Sequence, residues 1–278
     1  MSDDHLPHKT PEVLALSSTL PPQTLLISSL IAALVLVVIL VFVSRKKSNA
    51  QGNALLLVGP MDSGKTTIFS RLVYNQHIPT TTSLQTNASS FTPVPSKTIQ
   101  IIDIPGHPRI RGQFADHLNS AKAVAFVVDS NTVSRNGPAV AEHLHHILHA
   151  LTNLPPSQAA PVLAIICNKS DVLKSSSSTT SSALAINRVK AILERELEKR
   201  RVAQTGGVGV EGLGEEGETT ELGGLECGSE KASFKFDDWE GGDVVFLGTS
   251  ARPDDSKKSG ELSEDGLSSL QQWLEDLL

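Results

Sequence analysis

From residue 54 onward the chain alternates short apolar runs with longer stretches whose apolar residues recur every three or four positions. The runs 54–58, 98–104, 123–129, 161–167 and 243–248 predict buried strands, and 91–94 predicts a weaker one. Helices are predicted over 67–74, 138–151, 183–202 and 262–278. In the third of these, Ile186, Val189, Ile192, Leu193 and Leu197 form one stripe; in the last, Leu267, Leu270, Trp273, Leu274 and Leu277 do so. Strands alternating with helices imply an α/β fold: a mostly parallel six-stranded sheet with helices on both faces. In such sheets ligands bind at the carboxyl ends of the strands.

A different pattern precedes this region. Residues 25–43 are apolar apart from Ser28 and Ser29. As a helix this run would be about 29 Å long, close to the ~30 Å hydrocarbon core of a bilayer. A core helix would show polar positions at helical spacing, and a signal peptide would have a basic front and a small-residue cleavage site. Here Asp3, Asp4 and Glu12 stand in front. A single transmembrane helix, with the lipid bilayer as partner, is therefore expected. Arg45, Lys46 and Lys47 follow it and place that end in the cytosol. Residues 1–24 read as a disordered luminal tail, 44–52 as a basic cytosolic linker, and 53–278 as the folded domain. Ser2 is not the glycine that myristoylation needs, and the sequence ends in Leu277-Leu278 without a prenylation box.

Composition changes the picture little. A formal net charge of −6 argues against direct nucleic-acid binding. Cys167 and Cys227 read as reduced thiols. His143, His145, His146 and His149 crowd one segment and are read as a solvated helix face, because no Cys or carboxylate set accompanies them. Residues 172–233 hold a low-complexity insertion; its part 204–229, rich in Gly and Glu, is expected to be disordered and dispensable.

The chemistry lies in three loops. Gly59-Pro60-Met61-Asp62-Ser63-Gly64-Lys65-Thr66 fits the phosphate-binding loop G-x-x-x-x-G-K-[ST], between a predicted strand and a predicted helix. Backbone N–H groups through Thr67 would face phosphate oxygens at the positive end of that helix. Lys65 would reach the β- and γ-phosphates, and Thr66 would ligate Mg²⁺. Asp103 and Gly106 form D-x-x-G at the end of another strand. The carboxylate suits a water-mediated Mg²⁺ contact and the Gly106 N–H suits a γ-phosphate. Asn168-Lys169-Ser170-Asp171 follows a third strand. Asp171 can accept from the paired N–H donors of guanine, which adenine lacks; the Lys169 stem can lie along the base, and Asn168 can tie this loop to the first. Ser250 and Ala251, after the last strand, offer an N–H for guanine O6. The polar loop 80–90 sits where a nucleotide switch would lie, with Thr82 the expected hydroxyl completing the Mg²⁺ shell.

With G-x-x-x-x-G-K-T, D-x-x-G and N-K-x-D in this order, the chain resembles the Ras-like small GTPase superfamily of P-loop NTPases, from about Asn53 to the end. Within it, the membrane span close to the P-loop, the Asp62–Thr66 core and the box from Asp103 to His107 are similar to the signal recognition particle receptor beta-subunit family. So are the Phe234-Lys235-Phe236 patch and the Trp273-Leu274 ending. The resemblance implies an endoplasmic reticulum membrane protein that uses GTP/GDP and Mg²⁺. With GTP bound it would hold the receptor alpha subunit, through the loop 80–90 and the segment 106–116. His107 stands where many superfamily members have a water-orienting Gln, and Met61 is bulky where Ras has Gly. Both imply slow or partner-dependent hydrolysis, with His107 the candidate catalytic residue. An Arf-like membrane switch in vesicle traffic is the alternative; the predicted span and Ser2 speak against it.

Overall fold

Strand β1 (Ala54–Val58) is buried along its whole length. That is the position five consecutive apolar residues demand, the centre of a sheet covered on both faces. In the computed structural model, which describes residues 33, 52–95, 97–155, 158–173, 180–206, 223–227, 233–252 and 266–278, β1 pairs in parallel with β3 (Lys97–Asp103) and β4 (Ala121–Asp129). Strand β5 (Val162–Asn168) pairs in parallel with β4, and β6 (Val244–Gly248) with β5. Only β2 (Asn87–Val94) is antiparallel, on β3, and the order is β2-β3-β1-β4-β5-β6. The parallel register sets Leu57 beside Asp103, Asp129 beside Asn168 and Cys167 beside Gly248. Every loop carrying a motif thus leaves the same end of the sheet.

Two apolar layers hold the sheet. On one face Ile68, Phe69 and Leu72 of α1 (Lys65–Tyr74) and Leu270 and Leu274 of α5 (Ser268–Leu277) cover Leu55, Leu57, Ala125 and Val127. On the other, α2 (Phe114–Leu118), α3 (Val133–Thr152) and α4 (Ser181–Gly206) cover Leu56, Val58, Phe126 and Val128. No helix among the described residues is long and apolar enough to cross a membrane, and the expected span 25–43 lies outside them apart from Ala33.

Several elements depart from expectation. Strand β2 begins at Asn87, so residues 87–90 of the expected switch loop are strand. It is an edge strand with little buried surface, and its polar side chains carry almost no pattern. Helix α3 starts at Val133, five residues before Pro138, which sits inside it. A Cβ on the preceding Gly137 would lie 3.1 Å from Ile192 Cγ2 and 3.4 Å from Glu196 Cγ, so the smallest residue stands where α3 and α4 meet. Helix α4, by contrast, covers the expected 183–202 with two residues more at its start and four at its end, and buries Ala185, Val189, Leu193 and Leu197.

The histidine face is corrected: His143 and His145 are buried. The His143 ring packs edge-on against Phe126, with centroids 5.5 Å apart, and His145 Nε2 lies 2.9 Å from the Gly223 carbonyl oxygen. Helix α3 is covered by the sheet, by α4 and by residues 223–227. Those residues, expected to be disordered, place Leu225 in the core, and the Gly224 carbonyl accepts from the Trp239 indole at 2.9 Å. Carboxylates of α4 hold the returning chain: Glu198 accepts from the Phe234 N–H at 2.7 Å, and Glu194 from the Lys235 ammonium at 2.7 Å. Phe234 and Phe236 are thereby fixed edge-to-face, 5.2 Å apart.

Candidate functional site

The loop between β1 and α1 turns at two glycines that no other residue could replace. Gly59 has φ 138° and a Cβ there would meet the Val127 carbonyl oxygen at 2.3 Å; Gly64 has φ 94° and a Cβ would meet Asn168 Nδ2 at 2.3 Å. Asp62 is left-handed as well, at φ 58°. The buried Lys65 ammonium donates to the Gly59 and Pro60 carbonyls at 2.9 and 2.8 Å. Desolvation lowers its pKa to about 8 against the pull of Asp103 and Asp62. The ammonium is therefore folded back onto the backbone at the start of the loop, and α1 begins at Lys65, so its first N–H groups, which a helix leaves without an internal partner, lie at the end of the loop. Met61 is 43% exposed on its rim.

Asp103 is fully buried at the end of β3. Its Oδ2 accepts from Thr66 Oγ1 at 2.8 Å and Asn87 Nδ2 at 3.4 Å, while Oδ1 has no hydrogen-bond partner among the described residues. Burial raises its pKa; Thr66, Lys65 and Asn87 oppose without cancelling. Since Thr66 spends its one hydroxyl proton on Asp103, the 2.9 Å contact with Ser83 Oγ has Ser83 as donor. Ser83 thus brings a hydroxyl to Thr66; Thr82, the hydroxyl expected at the Mg²⁺ shell, is exposed here, and Thr80 meets Thr67 at 3.0 Å. Gly106 lies against the P-loop backbone: a Cβ there would be 2.4 Å from the Gly59 oxygen and 2.6 Å from the Pro60 carbonyl carbon. His107 Nδ1 accepts from the Arg109 N–H at 3.3 Å.

The third loop is bound to the first. Asn168, 1% exposed, donates to the Ser63 carbonyl at 2.8 Å and accepts from Thr249 Oγ1 at 3.2 Å. Lys169, left-handed at φ 60°, donates to the Asp62 carbonyl at 2.6 Å and to Asp129 Oδ2 at 2.8 Å. Asp171 Oδ1 accepts from Ser250 Oγ at 2.7 Å. A cavity of about 200 Å³ opens among Gly64, Thr67, Lys169, Asp171 and Ala251. His77 and Arg252 also line it; His77 belongs to no motif, and only its place just after α1 gave a signal. Asp129, Asn87 and Ser83 were likewise missed. For Asp129 the signal was a carboxylate closing an apolar strand, in register with Asn168. A larger cavity of about 490 Å³, between the end of α3 and residues 223–226, adjoins none of these loops.

Residues 50–244, more than half of the chain, match the family described as signal recognition particle receptor beta subunit. The beta subunit of Rattus norvegicus is 37% identical over 65% of this chain and 64% of its own length. That of Homo sapiens is 33% identical over 65% of this chain, again spanning 64% of the relative. These alignments thus span just under two thirds of the curated relatives. The solved structure of the mammalian SRP receptor superposes with a TM-score of 0.61 at 28% identity, covering 81% of this chain and 100% of that one. The chain has a Ras-like GTPase fold and belongs to the signal recognition particle receptor beta-subunit family.

Proposed function

We propose that this chain is the membrane-anchored GTP-binding subunit of a signal recognition particle receptor. It tethers the alpha subunit to the endoplasmic reticulum in a GTP-dependent way for co-translational protein targeting. The observation that carries the reading is the meeting of the three motif loops at one end of the sheet, tied by the bond from Asn168 to the Ser63 carbonyl. In this reading the backbone of residues 59–67 and Lys65 bind the phosphates, and Asp171 reads guanine, with the Ala251 N–H at O6. The Gly106 N–H faces the γ-phosphate.

The residues present fit a divalent cation. A buried carboxylate oxygen without a hydrogen-bond partner among the described residues, Asp103 Oδ1, lies beside a Thr hydroxyl. Thr66 and Asp103 would hold Mg²⁺, with Ser83 the nearest switch hydroxyl; bound there, the ion neutralises phosphate charge. Ser83 and Gly106 reach the loop from opposite chain segments, so both segments, 80–86 and 106–116, take one arrangement when a γ-phosphate is present and lose it otherwise. A partner that binds that arrangement tightens GTP binding in return. The residues 25–43 supply the anchor, with the folded domain on the cytosolic side.

The test is retention of the alpha subunit by the full-length chain from detergent-solubilised membranes, loaded with GTP or with GDP. The proposal predicts retention with GTP and loss with GDP. Equal retention in both states, or none in either, would overturn it.

A further inference from the structure

We propose that Asp129 is a positioning residue for nucleotide retention, acting through Lys169; this rests on the guanine-nucleotide reading of the site. Asp129 ends β4 and belongs to none of the three motifs. Its two oxygens do different work. Oδ1 accepts the backbone N–H groups of Asn131 at 2.8 Å and Thr132 at 3.2 Å, at the entry to α3. Oδ2 accepts from the Lys169 ammonium at 2.8 Å. The carboxylate is 12% exposed and cannot swing without releasing two backbone donors. Burial pushes its pKa up, but the Lys169 bond and charge and the two N–H groups outweigh this and leave it lowered.

The same ammonium donates to the Asp62 carbonyl at 2.6 Å. Asp62 is a non-glycine residue at φ 58°, so its peptide sits in a conformation that L-residues avoid and that surrounding contacts must hold. A continuous chain therefore runs from the start of α3 through Asp129 and Lys169 to the strained corner of the P-loop. The Lys169 stem lines the cavity assigned to the base. Because the carboxylate is pinned by backbone, the pair loses little side-chain freedom in forming, unlike a pair of long exposed side chains. Without Asp129 the ammonium keeps a single carbonyl partner, and the stem over the base cavity is free to leave. Asp129 itself lines no part of the cavity, so its effect is on how long the nucleotide stays.

The experiment measures dissociation of a fluorescent GDP from the full-length chain in detergent, by chase with excess GDP. Asp129→Asn keeps an oxygen for the two backbone donors and removes the charge. Dissociation should quicken about tenfold, the scale of one charge-assisted hydrogen bond. Lys169→Met approaches the pair from the other side and should quicken it at least as much. Adding Asp129→Asn to Lys169→Met should then change little, and raising salt should speed the wild type more than Asp129→Asn. Fully additive effects, or an Asp129→Asn chain that only melts earlier and dissociates as the wild type does, would overturn the inference. A wild-type chain that retains no guanine nucleotide would instead overturn the reading of the site on which it rests.

Discussion

Asn168→Ala isolates the join between the base loop and the P-loop. Asn168 and Ser63 are 1% and 0% exposed, so water cannot replace the amide that is removed. The Ser63 carbonyl loses its 2.8 Å donor and stays buried, at a cost of about 1–3 kcal/mol. Losing the 3.2 Å bond from Thr249 adds about 0.5–1.5 kcal/mol. The sum, about 1.5–4.5 kcal/mol, corresponds to a melting point lower by roughly 3–18 °C for a domain of this size. Asn168→Asp sharpens the test. It is isosteric but sets a carboxylate oxygen against the Ser63 oxygen, so at neutral pH it should be the less stable of the two. A carboxyl whose folded pKa is raised above its unfolded value recovers stability as pH falls, because the protonated form donates again. Thermal and urea melts of both variants, without nucleotide, at pH 7.5 and pH 5 give the comparison. Two variants within about 0.5 kcal/mol of wild type, an ordinary value for a surface change, would refute the claim that this bond carries the join.

Two further outcomes follow from buried groups. His143, held to a pKa of about 3 by desolvation, with Arg111, Lys65 and His146 pushing the same way, stays neutral in the fold while the unfolded chain takes up a proton below about 6.5. Stability should therefore fall with pH between about 6.5 and 3 by about 1.4 kcal/mol per unit for this one group; His143→Phe should remove that slope in urea melts, and an unchanged slope would count against a neutral, buried ring. Gly106→Ala drives a Cβ into the P-loop backbone, 2.4 Å from the Gly59 oxygen, so fluorescent-nucleotide affinity should drop about tenfold or more as the loop gives way, and unaltered affinity would show that Gly106 need not touch that loop.

The parts of the fold that could be read from the chain are those whose burial is symmetrical. β1, β4 and β5 lie between two helical layers, so 54–58, 123–128 and 162–167 are apolar without interruption. β2 is held by backbone bonds to β3 at the sheet edge, and Asn87 to Ser90 carry no trace of that. Pro138 reads as a helix start, yet α3 begins at Val133, because packing against α4 outweighs the hydrogen bond the proline omits. Residues 223–227 looked disordered because their order comes from partners far away in sequence: Leu225 is buried under α3, and the Gly224 carbonyl is held by Trp239. In the site, the motif residues were legible because a phosphate loop needs its glycines and its lysine at set spacing. Ser83 was not, since its hydroxyl is placed by a contact across two loops, 2.9 Å to Thr66; Asp129 left only the trace of a carboxylate closing an apolar strand, because its 2.8 Å bond to Lys169 joins residues far apart in the chain.

The central claim is that the loops after β1, β3 and β5 form one guanine-nucleotide site. Calorimetric titration of the full-length chain in detergent with GTP, ATP and XTP tests it directly, with Asp171→Asn alongside. GTP should bind about a thousandfold or more tighter than ATP, because adenine leaves the Asp171 acceptor unpaired. Asp171→Asn should lose GTP and gain XTP. Equal affinity for GTP and ATP, or GTP binding untouched by Asp171→Asn, would contradict the account.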